Sequence, residues 1–577
     1  MDLRSASIDS RRLHHLPLLR EVIDELGILE AVEEALPKHS DAKVSDGDCL
    51  LLMMLNILHG RCALYRMHEW LDPYDTDVIL GENCPKGAFT DTRLGQALDH
   101  IFDFGTDTLF SRIAIRILQA PQPTPARPLL RGDTTSLVLH GAYDREPENN
   151  VPTPARGYSK DHRPDLKQLM MSLCLDEAQR PRAFFPLDGN TADQTANRQL
   201  LDELAKQLKP TDDVTWIGDA KLVDADTIGK MLDQGFHVIS LLPKTFSLRR
   251  ELIDAIDDNE MAVVADKPAK KKGADRRVWK AASAIRPFVI RKSRDADPQS
   301  VSLRFVVVHS SQLEAKYLSG LEKKLDKEEK ALRRSIPKKA FACQADAEAA
   351  FDQVRRHEKL LEAQLSVVVE EVTLKRSRRG RPKAGEKAPS KMEYRVVLDE
   401  VLENEEAMAA ALRQASHFVL VTDHLDEMEW SDELVFETYQ GQQDIEGTTG
   451  FRWLKDAYVA PVFLKTPHRI AALMFVFVVS LAVRNHLQSK MRSRLAELDE
   501  EIRYYTRTRR TKTPTAEVIF DCFDAVTIIR ARMPDGAVLR QIANLSEHAK
   551  KVLDILQLNT DIFTTVRKMP SRYQGGP

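Results

Sequence analysis

Two short stretches set an acid directly after a glycine inside runs that otherwise read as strands: Asp133 in "RGDTTS" and Asp219 in "WIGDAKL". A buried strand seldom carries an ionised side chain unless a cation or hydrogen-bond donor compensates its desolvation. A third acid, Glu446, stands in "YQGQQDIEGTTGFRWLKD". Three carboxylates from separate segments can hold one or two Mg²⁺ or Mn²⁺ ions through hard oxygen ligands. Two such ions, about 3.5–4 Å apart, stabilise the attacking and leaving oxygens of an in-line phosphoryl displacement. Each acid also has a plainer reading. A Gly-Asp after a strand is often a turn or cap, and Asp444 and Glu437 compete with Glu446. Spacing alone does not establish that the three converge.

The elements that would have to position them follow from periodicity. Apolar residues at three- and four-residue spacing predict helices from Leu16 to Gln119, hence a helical N-terminal domain over 1–119 for DNA binding or assembly. The prolines of "APQPTPARP" make 120–128 a linker. Over 129–235 the period changes to three strands, a helix and a fourth strand, an α/β core with a mixed sheet. Residues 236–432 break this rhythm and read as an inserted α+β module. In it Leu318, Leu321, Leu325 and Leu332 suggest a coiled-coil seam that Glu328 interrupts, so a short helical hairpin is expected. The core resumes over 433–490, and 491–577 is a mixed basic and helical tail. The run Ile470–Val483 has 14 residues, short for a membrane span and suited to a buried helix. Asn190 and Asp193 in "DGNTAD" are expected to cap the helix that follows.

Composition narrows the class. In 577 residues, 43% hydrophobic and 30% charged, neither disorder nor a membrane protein is indicated. The six cysteines are scattered, with no C-x-x-C pair, and read as reduced thiols of a cytoplasmic protein. Net charge is only −3, so a nucleic-acid surface must come from local clusters. Three basic runs qualify: Lys267–Lys280, Leu374–Lys391 and Arg503–Lys512. The second contains "RGRPK", which looks like a minor-groove hook with Arg379 and Arg381 entering an A·T-rich groove; a solvated loop explains it equally. No G-x-x-x-x-G-K-[ST] phosphate loop is present.

The blocks "RGDTTS", "GYSKDHRPDLKQLMMSLCLD", "LDGNTAD", "IGDAKL" and "IEGTTGFRWLKDAYVAPVFLKTPHRIAAL" together resemble the insertion-sequence DDE transposases, with an N-terminal "VSDGDCLLLMMLNILHGRCALYRMHEWL" that looks like their preceding helices. The resemblance implies an RNase H-like core with a large insert before the final acid, and Asp133, Asp219 and Glu446 as catalytic ligands of two divalent ions, Mg²⁺ or Mn²⁺. It also implies cleavage at element ends, strand transfer by transesterification, and a homodimer on double-stranded DNA carrying terminal inverted repeats and target. The family's tyrosine, arginine, glutamate, lysine signature, with gaps of two, three and six, is matched by Tyr439 and Glu446 but meets Gln442 and Trp453 at the other positions; the nearest lysine is Lys455. Tyr439 and Lys455 are thus candidate DNA contacts, as are His162 and Arg163 of "SKDHRPD", which also read as a polar turn. The rivals are an inactive DNA-binding derivative, and a helical scaffold built on "LEKKLDKEEKALRR".

Overall fold

A computed structural model describes residues 7–36, 42–119, 128–144, 148–158, 163–207, 213–269, 275–292, 296–375, 389–441, 450–458, 464–504, 509–534 and 536–567, with backbone alone at 207 and 456–458. The protein is α/β with a large mixed sheet. The chain forms two compact units: 1–240, 289–301 and 438–577 make the first, and 241–288 with 302–437 the second.

The first unit opens with β1 (Ser7–Arg12) and helices α1 (Leu16–Glu25), α2 (Ile28–Ala35), α3 (Asp46–His59), α4 (Met67–Leu71), α5 (Thr76–Ile79), α6 (Asp91–Phe104) and α7 (Thr106–Gln119). Helix α3 starts at Ser45 through a capping box: Ser45 Oγ accepts from Asp48 N at 3.0 Å, and Asp48 Oδ2 accepts from Ser45 N at 2.7 Å.

The sheet strands of this unit are β2 (Leu129–Leu139), β3 (Lys167–Asp176), β4 (Pro181–Leu187), β5 (Thr215–Gly218) and β6 (His237–Leu241), side by side in the order β4-β3-β2-β5-β6. Strands β2, β3 and β4 form an antiparallel meander, whereas β5 runs parallel to β2 and β6 parallel to β5. Helix α8 (Asp193–Gln207) joins β4 to β5, and α9 (Ala225–Asp233) joins β5 to β6, as parallel neighbours require a crossover. The central strand β2 is buried along almost its whole length, which suits its near-continuous apolar and β-branched run. On one face Leu130, Trp216 and Val238 pack with Leu200, Leu204 and Met231 of α8 and α9. On the other, Leu137, Leu169, Met171 and Phe184 join a much larger core.

The second unit contains α10 (Ser247–Ala255), β7 (Ala262–Lys267), β8 (Arg277–Ile290), β9 (Gln299–Ser310), α11 (Ser311–Ser319), α12 (Leu321–Ser335), α13 (Gln344–Ala349), α14 (Phe351–Arg355), β10 (Leu361–Thr373), β11 (Ser390–Glu403), α15 (Glu405–Ser416) and β12 (His417–Thr422). Four of its strands lie in the order β12-β9-β8-β7, while β10 and β11 pair as a long antiparallel hairpin. The leucine seam does not form. Leu318 is 48% exposed while Leu332 is fully buried, because α12 packs on the hairpin with Val354, Leu361 and Ala363. Glu328, the residue that breaks the heptad, accepts the backbone N–H groups of Lys359, Leu360 and Leu361 at 2.6, 2.8 and 3.0 Å and fixes the start of β10.

The chain returns through α16 (Asp432–Gln440), α17 (Phe451–Tyr458) and α18 (Pro467–Leu498), then β13 (Ile502–Arg503), β14 (Arg510–Thr511), α19 (Ala516–Asp521), β15 (Thr527–Arg532), β16 (Val538–Ala543) and α20 (Glu547–Leu556). Helix α18 bears out the buried-helix expectation, although it runs for 32 residues. It is long and apolar enough to cross a membrane, yet its apolar stretch lies wholly inside the protein. A helix apolar on every face belongs at the centre of a core. Its few polar groups are satisfied: Arg484 pairs with Glu517, Asn485 Nδ2 donates to Gln179 O at 2.8 Å, and Gln488 Oε1 accepts from Ala516 N at 3.1 Å. Around α18 one apolar cluster unites α1–α3, α6, α7, α19, α20 and the outer sheet face. The helices expected as a separate N-terminal domain, and the segment expected as a tail, therefore share one core with the sheet. Strand β1 pairs with β15, and β15 with β16, tying the two ends of the described chain together.

Two groups in this core couple stability to pH in opposite senses. His59 Nδ1 lies 3.2 Å from His15 Nε2, and His59 Nε2 lies 2.9 Å from the Tyr74 hydroxyl. Burial, with His14 and Arg12 nearby, lowers His59 from 6.5 to about 4, and burial lowers His14 and His15 as well. The unfolded chain takes up protons below about 6.5 that the folded chain refuses until about 4, so this contribution is lost as pH falls through that window. Burial, with Asp48 and Asp46 close by, raises Glu33 from 4.5 to about 7 although it accepts the Ser45 hydroxyl. The folded chain binds that proton first, so stability is gained as pH falls through 7 and lost on the return. Urea unfolding at pH 7.5 and pH 5 separates them. Relative to His59→Asn, the parent should lose roughly 2 kcal/mol over this range, and relative to Glu33→Gln it should gain a similar amount.

Candidate active site

The parallel register of β2 and β5 pairs Leu129 with Thr215, Leu130 with Trp216 and Arg131 with Ile217. Each acid stands two residues beyond the last of these pairs, Asp133 within β2 and Asp219 just past the end of β5, so continuing the register sets the two opposite one another on neighbouring segments. Both are half-buried. Asp133 Oδ1 accepts from Thr134 N at 2.6 Å, and Asp219 Oδ1 accepts from Lys221 N at 3.0 Å where β5 turns into a short 3₁₀ helix. Ser240 of β6 donates its hydroxyl to the carbonyls of Gly218 and Asp219 at 3.1 and 2.7 Å, fixing the backbone that carries the second acid.

Gly132 is required by what lies under it. A Cβ there would stand 2.4 Å from Cζ2 of Trp216 and 3.3 Å from Leu200. Gly132→Ala should cost about 1–3 kcal/mol through overpacking. Because the strain falls one residue from Asp133, Mn²⁺ affinity should fall in the fraction that remains folded, read by urea unfolding and calorimetric titration of the same sample.

Two residues that sequence reasoning did not select complete the arrangement. Asp193, expected to cap α8, gives its carboxylate oxygens to the Thr134 hydroxyl and the Lys221 ammonium. Burial works against the charge of Lys221, but the hydrogen bond and charge of Asp193, with the charges of Asp219 and Asp133, outweigh it and raise its pKa. The Lys221 ammonium thus bonds the Asp193 carboxylate and feels the charges of Asp219 and Asp133, and it stands 5.8 Å from the centre of the 82%-exposed Tyr158 ring. Asp193 and Lys221 lay in the quoted blocks "LDGNTAD" and "IGDAKL"; Lys221, two residues after Asp219, carried a signal in its proximity to a candidate acid, whereas Asp193 carried none.

Chemically this is an all-oxygen site at which a cation already gathers, which fits hard divalent ions such as Mg²⁺ or Mn²⁺. Among the described residues, Asp133 and Asp219 belong to no set of three ligands at metal-binding spacing, so a further donor has to come from elsewhere. Glu446 lies outside the described residues, as do His162, Arg379 and Arg381. The described residues flanking Glu446 both reach β2. A Cβ on Gly441 would stand 2.5 Å from the Arg131 guanidinium, and α17 packs against β2.

The other candidates are placed as follows. Tyr439 is half-buried on the last turn of α16, and Lys455 is half-buried on α17. Trp453, at the position where the signature has lysine, is a core residue, 6% exposed, with the Arg484 guanidinium 5.6 Å above its ring. Arg163 is exposed and paired in bidentate fashion with Asp165, at 2.9 and 2.7 Å, within the local turn.

Residues 8–115 match a family described as "Domain of unknown function (DUF4277)". No curated protein matches the chain. Among solved structures the chain is similar to that titled "Cryo-EM structure of piggyBac transposase synaptic complex with hairpin DNA", at 9% identity and a TM-score of 0.25. The likeness covers 50% of this chain and 59% of that one, so the chain spans less than two thirds of its length.

Proposed function

We propose that the protein is a metal-dependent DNA transposase of the DDE type, in which Asp133, Asp219 and Glu446 hold the catalytic ions. The observation that carries this reading is the parallel register of β2 and β5, which, continued by two residues, sets Asp133 opposite Asp219. The strand order supports it: an antiparallel meander whose first strand is followed on its other side by two parallel strands with crossover helices is what an RNase H-like core would require. The second unit, inserted between β6 and α16, stands where the resemblance puts an insert before the final acid.

Divalent ions bound there would activate water and stabilise the charge on the attacking and leaving oxygens. The chain's own residues do the rest. The strand ends hold two carboxylates at fixed separation, Ser240 and the Thr134 N–H limit their motion, and Trp216 beneath Gly132 keeps β2 from shifting. Cleavage would expose a 3′-hydroxyl, and that hydroxyl would attack a target phosphodiester, one P–O bond forming as another breaks. Tyr439 and Lys455, with His162, Arg163, Arg379 and Arg381, are proposed DNA contacts, and two copies of the chain would bring two element ends together. The test is incubation of the purified full chain with DNA carrying the inverted repeats that flank its gene, with and without Mg²⁺. Metal-dependent nicking at the repeat ends supports the reading; repeat binding without cleavage in Mg²⁺ or Mn²⁺ favours an inactive DNA-binding derivative.

A further inference from the structure

The proposed chemistry leaves one feature unused, the bridge from Lys221 to Asp193, whose ends adjoin both acids: Lys221 follows Asp219 by two residues, and Asp193 bonds Thr134, next to Asp133. Asp193 is well covered, with 16% of its side chain exposed, whereas that of Lys221 is 46% exposed. Asp193 is also fixed on its far oxygen by the buried Thr134 hydroxyl, directly beside Asp133. The lysine is therefore a partly exposed cation on a covered anchor. Its own backbone N–H donates to Asp219 Oδ1 at 3.0 Å, while its tether Asp193 bonds Thr134, the neighbour of Asp133. An ammonium and a divalent ion attract the same carboxylates and repel each other.

We propose that Lys221 is a tethered counter-cation of the acid pair: it holds Asp133 and Asp219 together before divalent ions bind, then turns on the Asp193 anchor to grip a phosphate oxygen of the DNA strand. This rests on the reading of Asp133 and Asp219 as metal ligands. Lysine suits the task because its flexible stem carries a compact charge that serves carboxylate and phosphate alike. Asp193 decides how far the ammonium strays. With the anchor intact the lysine shares itself with Asp193; without it the ammonium settles on the catalytic acids and competes with metal. Tyr158, its exposed ring beside the ammonium, presents a stacking face for the nucleotide whose phosphate Lys221 would hold.

The test is Mn²⁺ titration of the full chain without DNA, by calorimetry or electron paramagnetic resonance, on Lys221→Met, Lys221→Arg, Asp193→Asn, the Lys221→Met/Asp193→Asn pair, and Asp133→Asn. Lys221→Met should bind Mn²⁺ about 3- to 10-fold more tightly, Asp193→Asn correspondingly more weakly, and Lys221→Arg close to the parent. In the Lys221→Met background Asp193→Asn should change affinity little, the non-additivity expected of residues acting through one another. In the cleavage assay Lys221→Met should lose at least tenfold in rate despite its tighter metal, and Lys221→Arg should recover most of it. Thermal melts of each variant keep misfolding apart from these effects. Unchanged or weaker Mn²⁺ binding by Lys221→Met, or an Asp193→Asn penalty of equal size in both backgrounds, overturns the counter-cation role. If Asp133→Asn leaves Mn²⁺ binding intact, the metal-site reading itself fails, whatever Lys221 does.

Discussion

Asp133→Asn should lower metal-dependent strand cleavage by about 10³-fold or more, well beyond the 10–100-fold typical of a residue that merely orients a metal ligand. The expected loss is large because the substitution keeps shape and removes the charge that a divalent ion needs at the centre of the site. Folding should survive. Asp133 is half-buried within β2, Thr134 N donates to an oxygen that asparagine retains, and the neighbouring charges include Lys221, which still has Asp193. DNA affinity should also survive, since it comes from basic contacts to phosphate and not from an acid. Cleavage and gel-shift assays on one preparation check both halves. Cleavage within tenfold of the parent would remove Asp133 from the metal site.

Glu517→Ala should destabilise the first unit by about 3 kcal/mol, whereas Arg484→Met should cost clearly less. Arg484 is fully buried in α18, and Glu517 at the start of α19 answers it with bonds of 2.9, 2.8 and 2.8 Å. Burial pulls the guanidinium pKa below its usual value, so the pair holds a charge that the interior resists. Removing the carboxylate strands that charge, which in a buried pair costs about 3–5 kcal/mol; the half-exposed side of Glu517 puts this case at the lower end. Methionine in place of Arg484 removes the charge and keeps apolar contact with Trp453. Urea unfolding followed by tryptophan fluorescence gives the comparison, and equal losses for the two variants would contradict it.

The local pattern of the sheet was legible because β2, β3, β4, α8 and β5 each carry a distinct period within 10 to 15 residues or fewer. What periodicity could not reveal was partnership over long range. Nothing local in "TAEVIFDCF" says that it packs with α1–α3 around α18, because one large core is shared by segments hundreds of residues apart. The leucine spacing before Ser335 misled for a related reason: Glu328 serves the backbone of β10, thirty-odd residues away, and α12 covers a hairpin instead of a second helix. At the site, Asp133 and Asp219 were readable as acids set oddly in strands, and only the register shows that they are level. Asp193 escaped because a capping role explained it locally, while Thr134 and Lys221, which it bonds, come from β2 and from the turn after β5.

The most direct measurement of the central claim is anomalous scattering from crystals of the protein soaked in Mn²⁺. A peak within coordinating distance of both the Asp133 and Asp219 carboxylates, completed by Glu446, is the predicted result. Full Mn²⁺ occupancy elsewhere on the chain with no density between Asp133 and Asp219 would contradict it.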